Sequence, residues 1–145
     1  MPSDPHRSPD WEGRALEIVM GSGANPRRLL YLVNRARQAA GLRPLAWSER
    51  LALAAERHAR DMLERNFYSH WAPEGLSPSD RALAAGYPWG CGENIAWNLR
   101  TVGEVHQAWM ASEGHRANIL NPRYVVLGCG HAGGYWVENF GCSPK

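Results

Sequence analysis

The sequence predicts an α+β fold in which helices cover both faces of a small, largely antiparallel sheet, forming a three-layer α-β-α sandwich. Apolar residues recur at helical spacing in two long segments after residue 26. Two strand-like runs near the end are joined by a short segment with adjacent glycines, which is typical of a hairpin. Helices on both faces are a stable way to bury such a sheet, because each face needs an apolar partner.

The chain has the length of one domain, preceded by a short arm. At 145 residues it can bury about 68 to 70% of its unfolded surface, which is enough for a hydrophobic core. Residues 1–26 contain four prolines, a GSG segment and few periodic apolar positions. We therefore expect residues 1–26 to form a mobile arm with about one turn of helix, and residues 27–145 to form the domain.

Two amphipathic helices are predicted first. The apolar positions of one helix begin after Arg27, and Gly41 ends it. A connector, residues 42–47, leads to Ser48, which is a suitable N-cap for a second helix that runs to about residue 65. His58 lies on the apolar stripe of that helix, where a histidine is typically a hydrogen-bonded core residue rather than a ligand.

The second half of the chain contributes the strands. Residues 67–75 are predicted to be a strand end and loop, followed by a short helix over residues 77–85. A short extended segment is expected at residues 93–97. Thr101 and Glu104 have capping-box spacing and open a further helix through about residue 111. The closing hairpin pairs two runs: residues 125–130 and 135–140.

Net charge and hydropathy argue against a nucleic-acid partner and against a membrane span. The formal charge of +2 comes from 16 basic and 14 acidic residues without a long basic run, so we expect no nucleic-acid partner. No apolar run approaches the roughly 20 residues of a membrane span. A patch at residues 15–20 is interrupted by Glu17, so no secretion signal is visible. We expect a monomer.

The three cysteines, Cys91, Cys129 and Cys142, leave at least one thiol unpaired in a monomer. They show no CxxC spacing, which argues against a structural zinc site. One disulfide with one free thiol and three reduced thiols are both compatible with the sequence. A cysteine nucleophile beside His115 ranks last among the functional hypotheses, because no cysteine lies in an activating motif.

A functional site is predicted where residues 109–120, WMASEGHRANIL, meet two glycine-flanked segments, one around His70 and one around Glu93. Two imidazoles, His70 and His115, with one carboxylate suit a solvent-open site for a divalent ion such as zinc. Water would be a further ligand, and Glu93 could orient or deprotonate it. Convergence of these segments on one cleft is therefore the working hypothesis.

Four ordered motifs carry a resemblance to a known family: FYSHWAPEG, GCGENIAWN, AWMASEGHRANILNPRYVVLGCG and GYWVENFG. Over roughly residues 29–141 the chain resembles the CAP superfamily of cysteine-rich secretory proteins, antigen 5 and pathogenesis-related proteins, especially its compact bacterial branch. The resemblance implies an α-β-α sandwich with a central cleft. It places the family's two metal-binding histidines at His70 and His115 and its first glutamate at Glu93. The fourth cleft position is Ser112 instead of glutamate.

The resemblance implies a cleft that binds zinc or another divalent metal, and a small molecule or protein partner, without strong catalytic activity. One alternative is a hydrolase of peptides or cell-wall material with Glu93 as general base. Another is a lipid- or sterol-binding protein. Family members are mostly exported, which implies an extracytoplasmic location. Residues expected to support the cleft are Asn94, Ser112, Arg116 and Asn118: the two asparagines by bonding backbone, and Arg116 by fixing the loop after the predicted helix at 101–111.

Aromatic residues are concentrated around the expected cleft. Six of the 14 in the chain lie within residues 67–97. Aromatic faces beside polar groups suit a glycan or lipid ligand, but core packing in a loop-rich region accounts for the same residues and is the favoured interpretation. The six are Phe67, Tyr68, Trp71, Tyr87, Trp89 and Trp97.

Overall fold

The computed structural model describes residues 9–144, which contain both helices and strands. Within the described residues, no helix is long and apolar enough to cross a membrane. The helices are α1 (Pro9–Gly21), α2 (Leu29–Ala39), α3 (Glu49–Arg65), α4 (Pro78–Ala84), α5 (Val102–Met110) and α6 (Glu113–Ile119), with a 3-10 turn at Pro26–Arg28. The strands are β1 (Ala46–Trp47), β2 (Gly92–Trp97), β3 (Val126–Ala132) and β4 (Tyr135–Gly141).

The four strands form one sheet in the order β1-β3-β4-β2. The hairpin of β3 and β4 lies at its centre, and β2 pairs antiparallel with β4 so that Gly92 faces Phe140. Only the two-residue strand β1 runs parallel to its neighbour β3. The predicted α+β class with a largely antiparallel sheet is therefore confirmed.

Successive side chains along a strand point to opposite faces of the sheet, and apolar side chains form a core on each face. On one face Ile95 and Val137 pack against α3 through Ala55, Ala59 and Met62. On the other face the strands pack against α2 and α5. That larger core includes Leu29, Val33, Val105, Trp109, Leu127, Trp136 and Phe140. The predicted three-layer sandwich follows from these two cores.

Two glycines of β3 bring α3 unusually close to the sheet. A Cβ atom at Gly128 would overlap the backbone of Ala52, and one at Gly130 would overlap the backbone of Glu56. Neither glycine is needed for a left-handed backbone conformation, since no positive φ occurs at these positions. The requirement is for close approach of a helix to a strand. The glycines thus fix the spacing between the two layers.

The first difference from the prediction is α1, which is 13 residues long where one turn of helix was expected. It packs on α5 at Gly21, whose Cα lies close to Gly103, and Glu17 pairs with Arg35 at 3.1 Å. Its larger apolar residues Leu16 and Ile18 are exposed, so the helix lacked a clear buried stripe in the sequence. Residues 1–8 lie outside the described residues, and the mobility of the arm stays a prediction.

The second difference is α6, which occupies the segment where a loop was expected after the predicted helix at 101–111. Its C-terminal end is held by Arg37, a buried side chain that donates to the carbonyls of Ile119 and Asn121 at 2.9 Å. These bonds satisfy carbonyls that the end of a helix leaves without partners. A long-range contact of this kind leaves no periodic signal in the sequence.

Two smaller corrections concern the strands. The strand end expected within residues 67–75 is wrong, because that segment contains no strand. The segment begins after Asn66, which ends α3 in the left-handed conformation with φ 55°. The connector predicted at residues 42–47 contains β1, which the strand pattern was too short to reveal.

Candidate functional site

Strand β2 divides the site between the two faces of the sheet. Glu93 and Asn94 are adjacent and buried, so their side chains lie on opposite faces. Glu93 meets His70 and Arg81 on the face covered by α3, and Asn94 meets α6 on the other. The Ile95 carbonyl accepts from Tyr68 Oη at 3.1 Å and from Trp109 Nε1 at 2.9 Å. The edge of β2 thus ties the His70 segment to α5.

Both carboxylate oxygens of Glu93 are engaged. Oε1 lies 2.8 Å from Nδ1 of His70, and Oε2 lies 2.8 Å from a guanidinium nitrogen of Arg81. The Glu93 side chain is 1% exposed, whereas that of His70 is 46% exposed. A carboxylate accepts hydrogen bonds only, so His70 is oriented as an Nδ1–H donor. The arrangement places a fixed imidazole at the surface over a buried ion pair.

Arg81 and His58 complete the buried side of this cluster. Arg81 is on α4, and nothing in its spacing along the sequence connects it with Glu93. His58 donates from Nε2 to the carbonyl of Ser69 at 2.8 Å, and the same nitrogen is 3.9 Å from Glu93 Oε1. Burial lowers the pKa of His58, which favours the neutral ring. The prediction of a hydrogen-bonded core histidine is confirmed.

His115 lies on α6 and is held by Ser112. Nδ1 of the ring is 2.9 Å from the Ser112 hydroxyl, three residues earlier in the chain. Burial, and to a lesser extent the charge of His70, lower the pKa of His115. His70 contacts Glu93, and the carbonyl of His115 accepts from Asn94, the next residue of β2. Histidines 45 positions apart in the sequence are thus linked to adjacent residues of one strand.

A buried network of side chains supports His115 from behind. Asn94 Nδ2 donates to the His115 carbonyl and to Glu138 Oε1, both at 3.0 Å. Asn118 Nδ2 donates to Asn94 Oδ1 at 2.9 Å and to the Glu93 carbonyl at 3.2 Å. Both asparagines therefore bond backbone, as expected from the sequence. Glu138 is fully buried, and that burial raises its pKa to about 8.

Arg116 lies outside this network. It donates to the carbonyl of Met110, the last residue of α5, at 3.3 Å, and it lies itself in α6, where a loop was expected. Its side chain is exposed.

The aromatic residues that were expected around a cleft include buried and exposed rings. Tyr87 is fully buried and packs in the core, as the packing interpretation predicts. Tyr68, Trp71 and Trp97 are each about half exposed, at 49%, 59% and 57%. Trp71 follows His70 directly, and Trp97 ends β2 beside Tyr135. Core packing does not account for these three rings.

All three cysteines are free thiols in the structure. Burial raises the pKa of Cys91 to about 12 and that of Cys129 well above its usual value. A thiol nucleophile needs the opposite shift, because the thiolate is the reactive form.

His70 and His115 together offer at most a two-residue protein ligand set. Among the described residues, no group of three or more His, Cys, Asp or Glu side chains is arranged to hold a metal ion. The hydrogen bonds of His70 and His115 with described side chains both use Nδ1. Nε2 of each ring is thereby left for a ligand, in the way that metal-binding histidines are usually supported by a partner at the other nitrogen.

The pattern of the cysteine-rich secretory protein family, CAP, matches residues 30–142. The chain belongs to the CAP family. This confirms the resemblance carried by the four motifs, and the match begins after α1.

Several bacterial proteins are similar to this CAP chain. The uncharacterized protein YkwD of Bacillus subtilis is 39% identical over 120 residues, covering 81% of this chain and 47% of its own length. The uncharacterized membrane protein YlbC of the same organism is 37% identical over 116 residues, covering 79% and 33%. The chain therefore spans half or less of the length of these relatives.

Solved structures share the CAP fold. The crystal structure of an extracellular SCP-domain protein from Bacillus anthracis has a TM-score of 0.77 and 31% identity, covering 97% of this chain and 45% of that one. An outer surface protein of Borrelia burgdorferi has a TM-score of 0.72, covering 79% and 90%. Its identity is 20%, so it supports the fold alone.

Proposed function

We propose that this CAP domain binds a divalent cation such as zinc in its cleft through Nε2 of His70 and Nε2 of His115. The observation that carries the proposal is the shared arrangement of the two rings. Each is held at Nδ1 by an oxygen, from Glu93 for His70 and from Ser112 for His115. A carboxylate behind a metal-binding imidazole fixes its tautomer and raises its basicity.

The donor set favours an open and exchangeable site. Two imidazoles suit zinc, and the remaining coordination positions would be taken by water or by groups of a bound partner. Such a cation would supply Lewis acidity toward an oxygen of that partner. The residues of this chain would orient the two rings and keep the Glu93 carboxylate paired beneath them.

Binding is favoured over hydrolysis by the surroundings of Glu93. A general base needs a free lone pair within reach of the water that it deprotonates. Arg81 and His70 occupy the two oxygens of Glu93, which fits a supporting carboxylate better than a base. We therefore propose a binding protein without strong catalytic activity.

Zinc calorimetry tests the proposal. Metal-free protein is titrated with zinc beside a His70→Ala, His115→Ala double variant, and a His131→Ala variant serves as the matched control outside the cleft. We expect the double variant to lose binding and the control to retain it, because two protein ligands cannot both be replaced by water without loss of affinity. Equal binding by the double variant and the wild-type protein would contradict the assignment.

We also propose an extracytoplasmic location. A similar protein of known structure, 31% identical, is described as an extracellular protein. Fractionation of the source cells with an antibody against the domain tests this proposal. Recovery of the full-length protein solely from the cytoplasm would contradict it.

A second proposed role is glycan binding, favoured by the three half-exposed rings of Tyr68, Trp71 and Trp97. Flat aromatic faces next to an imidazole suit sugar rings, which present C–H groups on their faces and hydroxyls at their edges. Trp97 lies four positions beyond Glu93 on β2, about 13 Å along the strand. That length is enough for two or more sugar units.

We expect a soluble tetramer of N-acetylglucosamine to bind the wild-type protein and to bind at least tenfold more weakly to a Trp71→Ala, Trp97→Ala variant. Isothermal calorimetry measures the affinity. Trp89→Ala is the matched control, since Trp89 is 46% exposed but packs edge-on against Tyr87. Binding to anionic lipid vesicles and not to the sugar would favour the lipid alternative instead.

A further inference from the structure

The N-terminus of α6 differs from those of the other helices with defined caps. Ser48, Ser77 and Thr101 each cap a helix, and each side chain accepts a hydrogen bond from a backbone N–H of the first turn. Ser112 occupies the same position before α6 but makes no such bond. A serine cap normally stabilises its helix through that bond, so its absence indicates a competing contact.

The competing contact is the bond between the Ser112 hydroxyl and Nδ1 of His115 at 2.9 Å. We propose that Ser112 is a positioning residue, whose hydroxyl fixes the ring of His115 in place of capping α6. The proposal rests on the ligand role of His115 proposed above. Ser112 would hold in place one of the two proposed ligands, His115.

The support of His115 is divided between its ring and its backbone. Ser112 holds the ring, and Asn94 Nδ2 holds the carbonyl at 3.0 Å. Asn94 is itself fully buried and bonded to Asn118 and Glu138. The main chain at His115 is thus anchored to β2, while the direction of its side chain depends on one hydroxyl.

The two histidines therefore have partners of different chemistry. Glu93 can only accept a hydrogen bond, so His70 is restricted to the Nδ1–H form. A serine hydroxyl donates or accepts, so Ser112 supports either neutral form of His115. The bond persists when Nε2 is protonated and also when Nε2 binds a cation. Ser112 therefore supports both forms of the His115 ring without adding a negative charge to the cleft.

The test compares Ser112→Ala and Ser112→Thr with Ser77→Ala, which removes a true cap that forms a capping box. Zinc affinity is measured by calorimetry and thermal stability by the unfolding midpoint. We expect Ser112→Ala to weaken zinc binding roughly 10- to 100-fold, as loss of a supporting partner does at other metal sites. Ser112→Thr should restore most of the affinity. Ser77→Ala should lower the unfolding midpoint and leave zinc affinity unchanged.

Ring-nitrogen NMR of the zinc-free proteins separates this proposal from the metal proposal. We expect Ser112→Ala to change the Nδ1 chemical shift of His115 and to leave that of His70 unchanged. If the wild-type protein binds no zinc, the metal proposal fails and the ring signals alone decide the role of Ser112. Unchanged His115 signals, with a loss of stability like that of Ser77→Ala, would overturn the proposal and make Ser112 a helix cap.

Discussion

Gly130→Ala is expected to lower the free energy of unfolding by about 3 kcal/mol, at the upper end of the cost of overpacking a core. The added methyl group would overlap the backbone of Glu56 on α3, and backbone cannot rotate away as a side chain can. Helix α3 would have to move off the sheet, which would loosen its apolar contacts with Ile95 and Val137. Urea denaturation followed by circular dichroism measures the change.

Gly114→Ala is the matched control. Gly114 lies in α6, and an added Cβ there meets no atom within 4 Å. That variant should gain roughly 0.5 to 1 kcal/mol from the better helix propensity of alanine. A loss below about 1 kcal/mol for Gly130→Ala would show that the two layers are not packed as closely as described.

Glu138→Gln is expected to make the protein more stable at alkaline pH by roughly 5 kcal/mol. Burial raises the pKa of this carboxyl from 4.5 to about 8 in the folded protein. Between these values the folded state holds a proton that the unfolded state has lost, so stability falls as pH rises. The loss is complete above pH 8, where the buried carboxylate is charged. Glutamine keeps the oxygen that accepts from Asn94 and cannot ionise.

The measurement is the free energy of unfolding in urea at pH 5, 7 and 9. The wild-type protein should lose stability across this range, and Glu138→Gln should remove most of the loss. Glu113→Gln, a change at an exposed position of α6, should follow the wild-type curve. Parallel pH curves for the wild-type protein and Glu138→Gln would contradict a buried neutral carboxyl.

The sequence predicted the elements whose signals are local. Helix α3 has a continuous apolar stripe and a serine cap, and the hairpin of β3 and β4 has a glycine turn. Both were expected within a few residues of their observed positions. The family motifs also predicted one site from His70, Glu93 and His115. In the structure His70 contacts Glu93, and the main chain of His115 is bonded to the neighbouring Asn94.

Elements held by distant contacts were not predictable in this way. Helix α6 depends on Arg37, more than 80 positions away, and α1 presents apolar residues outward. Arg81 is linked to Glu93 only through the fold. The close approach of α3 at Gly128 and Gly130 is likewise invisible in the sequence, where a glycine between strand residues is compatible with a bulge or a turn.

The most direct test of the metal proposal is zinc titration of protein labelled with 15N in its histidine rings. We expect the Nε2 signals of His70 and His115 to shift together as zinc saturates the protein. The Nδ1–H of His70 should remain bonded to Glu93 throughout. Unchanged Nε2 signals at both rings, or shifts confined to His106 and His131, would contradict a metal site in the cleft.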